Sequence, residues 1–225
     1  MTRRSAATEL PKIAAPDLPP IAATAVIASS ELRPGSDLEN ITFQDVVLGQ
    51  EPRASLKLRH VRFIRVKTSG CKLGNLRLVD SSHDSCDWAN ASWDHSRVHR
   101  CLLDDCKMIG FTASDSRFEN ARFRRCNLDL SVFHRTHFIS CAFEDCVLRE
   151  SSFEEAVLEN VTFRNCDLRN VRMVRARFND VDLRGSLVDG LQADPQSMRG
   201  TLINASQALP LIHLLGVRVR ELDSE

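Results

Sequence analysis

Eight cysteines are the first residues of this sequence that could carry chemistry. Five of them recur at equal intervals along the chain, namely Cys86, Cys106, Cys126, Cys146 and Cys166. Thiolates that converge on one point can bind zinc, and thiols in an oxidising compartment can form disulfides. Either chemistry depends on where this constant interval places the side chains.

A second candidate is the segment Asp80–Ser85, which contains Ser82, His83 and Asp84 in succession. These are the residue types of a hydrolase triad, but such triads are assembled from separated segments of a chain. Adjacent residues of an extended chain point in opposite directions. The segment is therefore interpreted as a degenerate structural unit, in which His83 either lies in a bulge or is buried with a partner.

A third candidate is a set of basic residues that recur at the same interval as the cysteines. The set is interrupted by Val157 and consists of Lys57, Arg77, Arg97, Arg117, His137 and Arg177. If these residues share one face, two interpretations stay open. Acids on that face, such as Asp80, Glu119, Glu159 and Asp180, could neutralise the charge, or the column could bind anions or phosphates.

The elements that must position these residues follow from a period of five. Large apolar residues occupy every fifth position with little interruption from Leu38 to Val188, and a second register two residues earlier holds small or β-branched residues and all eight cysteines. Helices repeat every three or four residues and simple strands every two. A period of five predicts a four-sided coil that turns a corner at each repeat unit, so that one coil contains four units. Seven or eight such coils would stack at about 4.8 Å.

This pattern resembles the pentapeptide-repeat family, whose unit is a small residue, Asp or Asn, Leu or Phe, and two further residues. Close matches are Cys126–Leu130, Cys166–Asn170 and Val181–Gly185. The resemblance implies an all-β fold, a right-handed quadrilateral parallel β-helix, here over residues 35–195. The cysteine column would then lie along one inner edge. Parallel side chains about 4.8 Å apart cannot converge on one zinc ion, so we predict buried packing residues, with no metal and no cofactor.

The ends of the chain depart from the repeat. Residues 1–34 are predicted to be a flexible or loosely docked arm, and residues 49–55 a loop, because Arg53 occupies a core position beside Pro52. Residues 196–225 are predicted to form a capping or dimerisation segment. Within it, Ser206 would cap a helix running to about Leu215, Gly216 would end the helix, and residues 217–220 would form a short strand. The apolar residues of this helix would cover the last coil and form a homodimer contact; they are Leu209, Leu211, Ile212, Leu214 and Leu215.

Composition narrows the functional classes. Lys and Arg total 30, and Asp and Glu total 30, so the net charge is zero. This balance argues against direct nucleic-acid binding and against an acidic mimic of nucleic acid. No apolar run is long enough to span a membrane, and no continuous signal sequence is present, so a cytoplasmic protein is predicted. We expect a non-catalytic protein–protein interaction scaffold of unknown partner. As the alternative, the resemblance implies protection of DNA gyrase from antibiotics by DNA mimicry.

Overall fold

The computed structural model describes residues 12–21, 25–26 and 32–220, and most of these residues form one stack of parallel coils. Two parallel sheets run along the stack, one ordered β1 to β8 and then β10, the other pairing β9 with β11. The strands are β1 Ala25–Val26, β2 Asp37–Gln44, β3 Lys57–Ile64, β4 Arg77–Asp84, β5 Arg97–Asp104, β6 Arg117–Arg124, β7 His137–Glu144, β8 Val157–Arg164, β9 Arg172–Met173, β10 Arg177–Asp182 and β11 Gln192–Ala193. The predicted β-helix is confirmed, with about eight coils.

The register of the ladder is four repeat units at every step. Leu38 pairs with Leu58, Leu58 with Leu78, and Leu78 with Val98. Isolated bridges on the other sides keep the same offset, as in Lys67–Asp87 and Ser92–Thr112. Each residue therefore lies beside its counterpart in the next coil, about 4.8 Å away, on every side of the rod.

The corners are made by every fifth residue. From Asn40 to Asp180, each residue whose number is a multiple of five has a positive φ, with Gln50 as the exception. A left-handed residue turns the chain through the corner, and Asn, Asp and Gly tolerate this conformation best. Arg, Glu and Leu also occupy corners, for example Leu130 with a φ of 59°. Those residues adopt a conformation that costs about 1–2 kcal/mol each.

The core consists of the two inward registers, as predicted. Large side chains stack directly on their counterparts one coil away. The rings of Phe123, Phe143 and Phe163 have centroids 4.6 and 4.8 Å apart and are tilted by only 5°. Both tryptophans are fully buried. The stacked large side chains therefore fill the interior along the length of the rod.

Arg53 closes the N-terminal end of the core. Its side chain is buried, and it donates to the carbonyl of Leu32 at 3.0 Å and to that of Gly49 at 2.7 Å. The backbone N–H of Arg53 still bonds to Lys72 of the next coil. The segment predicted as a loop, residues 49–55, keeps the register at Arg53 and departs from the repeat at Gln50, the corner without a positive φ. A core position can hold an arginine here because the first coil has unpaired carbonyls that need a donor.

Residues 12–21 lie along one edge of the rod. Ala14 N–H donates to the Asn120 side chain at 3.3 Å, Asp17 N–H to Asp80 Oδ1 at 2.8 Å, and the Pro19 carbonyl accepts from Arg62. Farther along the predicted arm, strand β1 pairs with Ile41 and Thr42. Residues 32–34 lie beside the first coil. Residues 1–11 lie outside the described part of the chain.

The C-terminal end is closed by a short helix, α1 (Ala205–Leu211), followed by a 3-10 helix at Ile212–Leu215. The N-cap is Asn204 and not the predicted Ser206, because Gln207 at the third helical position accepts the Asn204 N–H at 2.7 Å. The same Gln207 donates to the carbonyls of Leu183 and Ser186, each at 2.7 Å. Gly216 ends the helix in the left-handed conformation, as predicted.

The strand predicted at residues 217–220 is not formed. Its alternation of valine and arginine is that of a half-buried strand. Val217 and Val219 are instead exposed, and strand geometry needs a hydrogen-bonded neighbour that this segment does not have in the described chain.

Among the described residues, no helix combines the length and the apolar character needed to cross a membrane.

Candidate functional site

The basic column runs in a straight line along one edge of the rod. Lys57, Arg77, Arg97 and Arg117 are the first residues of β3, β4, β5 and β6, and the ladder pairs each with the next. His137, Val157 and Arg177 extend the same column at the start of β7, β8 and β10. All the basic members are exposed. The residues of the basic column therefore lie on one face of the rod.

The column forms one wall of a groove, and the corner residues of the preceding side form the other. The middle of the groove is a cleft of about 610 Å³, and its second wall consists of Ser55, Asn75, His95, Asp115 and Arg135. A further cleft of about 510 Å³ continues toward the C-terminal end past Arg175 and Arg177. The groove thus follows the edge of the rod over most of the coils.

Acids neutralise only part of this column. Lys57 lies 4.0 Å from Asp37, and Arg117 lies 3.5 Å from Glu119. Arg77, Arg97 and Arg177 form no ion pair and no side-chain hydrogen bond within residues 12–21 and 32–220. Neutralisation by acids therefore holds for Lys57 and Arg117 but not for the column as a whole.

The other predicted acids are engaged elsewhere or stand alone. The buried Asp80 carboxylate binds Arg100 with both oxygens, and His60 lies 3.6 Å from it. In the described chain, Glu159 and Asp180 form no ion pair. None of these acids therefore pairs with Arg77, Arg97 or Arg177.

Elsewhere on the rod, arginines pair with an acid one coil earlier. The pairs are Glu39–Arg59, Asp45–Arg65, Asp80–Arg100, Asp104–Arg124, Asp115–Arg135, Asp129–Arg149 and Glu155–Arg175. The hydrogen bond from Arg124 lowers the pKa of Asp104, and the one from Arg135 does the same for Asp115. Sequence reasoning missed these pairs, although an acid and an arginine four repeat units apart are a signal that a sequence contains.

Two histidines beside the groove are hydrogen-bonded by arginine. Nη1 of Arg135 lies 2.9 Å from His134 Nε2, and Nη1 of Arg100 lies 2.9 Å from His99 Nε2. Arginine nitrogen can only donate, so these imidazole nitrogens accept. Each of these rings is thus oriented by the arginine that follows it in the chain.

The segment around His83 does not form a catalytic arrangement. His83 points into the core, whereas Ser82 and Asp84 lie on the outer surface. Burial lowers the pKa of His83 to about 3, and neither ring nitrogen has a hydrogen-bond partner in the described chain. The expected bulge is absent, and so is the expected polar partner of the buried ring, because the side chains stacked around it are aromatic.

All eight cysteines are buried and unbridged, as their register predicted. Each thiol of the regularly spaced column lies near a carbonyl one coil earlier, such as Cys126 to Leu103 O at 3.5 Å and Cys146 to Phe123 O at 3.5 Å. Ser186 continues the column and donates to Phe163 O at 3.0 Å. Small donors at this position thus hydrogen-bond to a buried carbonyl of the preceding coil. No cluster of three or more metal-binding side chains occurs among the residues described here.

The predicted capping leucines divide into two groups. Leu211 is buried with 7 % exposure, Leu214 packs partly against the core, and Ile212 is half-buried. Leu209 and Leu215 are 63 % and 67 % exposed. One side of the segment therefore covers the last coil, and the other side presents apolar surface to solvent.

A square stack of parallel coils with a five-residue unit defines the class of pentapeptide-repeat β-helices. The comparison with family models agrees: the model described as Pentapeptide repeat region matches residues 116–193 and 136–208. The family resemblance predicted from the sequence is confirmed. No curated protein matches the sequence.

Solved structures that match include one antibiotic-resistance protein and two pentapeptide-repeat proteins. A trypsin-treated form of QnrB1, a plasmid-mediated fluoroquinolone resistance protein, is 19 % identical and has a TM-score of 0.49, covering 88 % of this chain and 98 % of that one. HetL from the cyanobacterium Nostoc sp. strain PCC 7120 is 12 % identical over 75 % of this chain and 90 % of its own, with a TM-score of 0.40. A protein of the Arabidopsis thaliana thylakoid lumen is 15 % identical over 50 % and 74 %, with a TM-score of 0.28. These likenesses concern the fold alone.

Proposed function

We propose that this chain is a non-catalytic, rod-shaped interaction scaffold that binds an acidic surface of a partner protein along its basic groove. The observation that carries the proposal is the alignment of Arg77, Arg97 and Arg177 without acidic partners in the described chain. Unpaired like charges at neighbouring coils repel, and a ligand of opposite charge would relieve that repulsion. A cytoplasmic location is part of this proposal.

The interior supports a scaffold over an enzyme. The eight cysteines and His83, the first candidates for chemistry in the sequence, are packed in the core. The groove is lined mainly by basic residues, with Ser55, Asn75 and Asp115 among the polar residues of its second wall, and this lining suits recognition by charge and hydrogen bonding.

Gyrase protection by DNA mimicry is the less supported alternative. It requires a continuous acidic face, whereas Asp45, Asp104, Asp115 and Asp129 are each paired with an arginine one coil later. No feature of the described surface favours it specifically.

A homodimer through the C-terminal segment is a further part of the proposal. The exposed apolar side chains at this end are Leu202, Ile203, Leu209, Leu215, Val217 and Val219. Pairing of two such ends about a twofold axis would remove these side chains from water. Twofold symmetry is the commonest symmetry of soluble oligomers.

The interaction proposal is tested by affinity capture from the native host with paired charge reversals. The test variant is Arg77→Glu with Arg97→Glu, and the control is Lys67→Glu with Lys107→Glu on another side of the rod. We expect the test variant to lose captured proteins that the wild type and the control retain, and capture to weaken at high salt. Equal capture by all three proteins would show that the groove is not the interaction site.

A further inference from the structure

The straightness of the basic column restricts which acidic partner the groove can hold. Arg77, Arg97 and Arg117 start adjacent strands in ladder register, so their backbones recur at about 4.8 Å along the rod axis. A partner that engages all three must present negative groups on one line at a similar pitch.

An α-helix meets this requirement better than other common structures. Residues on one face of a helix recur at a pitch of about 5.4 Å, which differs from the column by only about 0.6 Å per step. An extended strand repeats a face about every 6.6 Å, and one strand of B-DNA carries a phosphate about every 3.4 Å of its axis. Over two steps the helix accumulates a mismatch of about 1.2 Å, within reach of a flexible arginine side chain.

The dimensions of the groove agree with a short helix. The cleft extends from Lys57 to His137, which is four coil steps or about 19 Å. A helix of about 13 residues has that length. The single acid on the opposite wall, Asp115, is already bound by both arms of Arg135, so it adds no free negative charge that would repel an acidic helix.

Single-stranded nucleic acid would need aromatic surfaces on which its bases could stack. The sequence contains no tyrosine, and in the structure both tryptophans and every phenylalanine except the half-buried Phe178 are in the core. Among the described residues, the groove thus contains no Phe, Tyr or Trp ring on which bases could stack, and its aromatic rings are the imidazoles of His95 and His137.

We infer that the groove between Lys57 and His137 is a docking site for an acidic α-helix of a partner protein, with Asp or Glu at positions i, i+4, i+7 and i+11 facing Arg77, Arg97 and Arg117. The inference rests on the proposed function and specifies the form of the partner. The pattern places four carboxylates on one helix face.

The test uses the full-length protein and fluorescein-labelled 16-residue peptides of Ala, Gln and Glu in fluorescence anisotropy. The first peptide has four glutamates on one face, the second has the same composition with glutamates spread around the helix, and the third is the first with a central proline. A 16-base-pair DNA duplex is the fourth probe. We expect the first peptide to bind about ten-fold more tightly than the others, and Arg97→Gln to weaken it several-fold while Lys107→Gln has no effect.

The outcomes separate the two proposals. Equal binding of the first and second peptides, tighter binding of DNA, or no binding of any peptide would overturn the helix inference. The affinity capture from the host would still report whether the groove binds proteins at all. Circular dichroism of Arg97→Gln, whose altered side chain is exposed, verifies that the rod remains folded.

Discussion

The imidazole of His83 lies flat against the ring of Phe63 one coil earlier, with centroids 4.6 Å apart and an interplanar angle of 7°. The rings of Trp88 and Trp93 also lie beside it, each with its centroid 5.4 Å from that of the imidazole. A histidine thus replaces a phenylalanine or leucine in a core stack, and it stays neutral because burial lowers its pKa to about 3.

This relationship predicts an acid-sensitive core. Between pH 6.5 and 3 the unfolded chain binds a proton that folded His83 does not, so the free energy of unfolding decreases as the pH falls below 6.5. Above pH 6.5 both states are neutral at this residue and the effect vanishes. His83→Phe should reduce the loss of stability between pH 7.5 and 5.0 by about 2 kcal/mol, since each pH unit below 6.5 contributes about 1.4 kcal/mol. Urea unfolding at the two pH values measures it, and an equal loss in both proteins would contradict the prediction.

Paired and unpaired arginines should respond oppositely to neutralisation. Arg97→Gln removes repulsion with its two neighbours and should raise stability by a few tenths of a kcal/mol at low salt. Arg124→Gln removes the two-pronged partner of Asp104, which keeps Arg125 at 2.6 Å, and should lower stability by about 0.5 kcal/mol. Thermal unfolding in 20 mM and 500 mM salt should show both effects shrinking as salt rises. A loss of stability in Arg97→Gln would mean that this arginine has a structural role.

Leu130 is an exposed leucine held at a φ of 59°. Replacing it by asparagine, which tolerates the left-handed conformation, should stabilise the protein by up to about 1 kcal/mol. The reverse change at a comparable corner, Asn75→Leu at a φ of 58°, should destabilise it by a similar amount. Denaturant midpoints of the two variants provide the measurement, and shifts of the same sign would refute the corner argument.

The thiols should be unreactive in the folded protein. Burial raises the pKa of Cys101 and of Cys141 to about 12, so neither thiolate forms at neutral pH. A thiol reagent should label none of the eight cysteines under native conditions and all eight in denaturant. Rapid native labelling of most of them would disprove the inward register.

Two sets of substitutions in the C-terminal segment should distinguish dimerisation from capping. Leu209→Glu with Leu215→Glu alters only exposed side chains, so a dimer should become a folded monomer with an unchanged melting temperature. Gln207→Leu removes the donor to two buried carbonyls and should cost about 2–4 kcal/mol. Light scattering combined with thermal unfolding distinguishes the effects. A wild-type protein that is monomeric at high micromolar concentration would exclude the dimer.

The sequence by itself determined the repeating part of the rod. A five-residue period decides which side chains face inward, so the burial of Phe123, Phe143 and Cys126 could be predicted without knowing any contact. The same period makes equivalent residues of successive coils neighbours, which placed Arg77 beside Arg97 on one edge. Inward or outward orientation is a local property of the backbone, and it repeats as long as the period does.

Only the tertiary structure decided the ends and the pairing of charges. Arg53 and Gln207 look like interruptions of the pattern, yet each satisfies carbonyls that no neighbouring coil can reach. Whether a charge such as Arg97 is paired depends on the reach and rotamer of long side chains, which the repeat does not specify. The physical reason is the same in both cases: a repeat defines the environment of a residue only where an equivalent coil lies on each side, and only as far as the backbone determines the side chain.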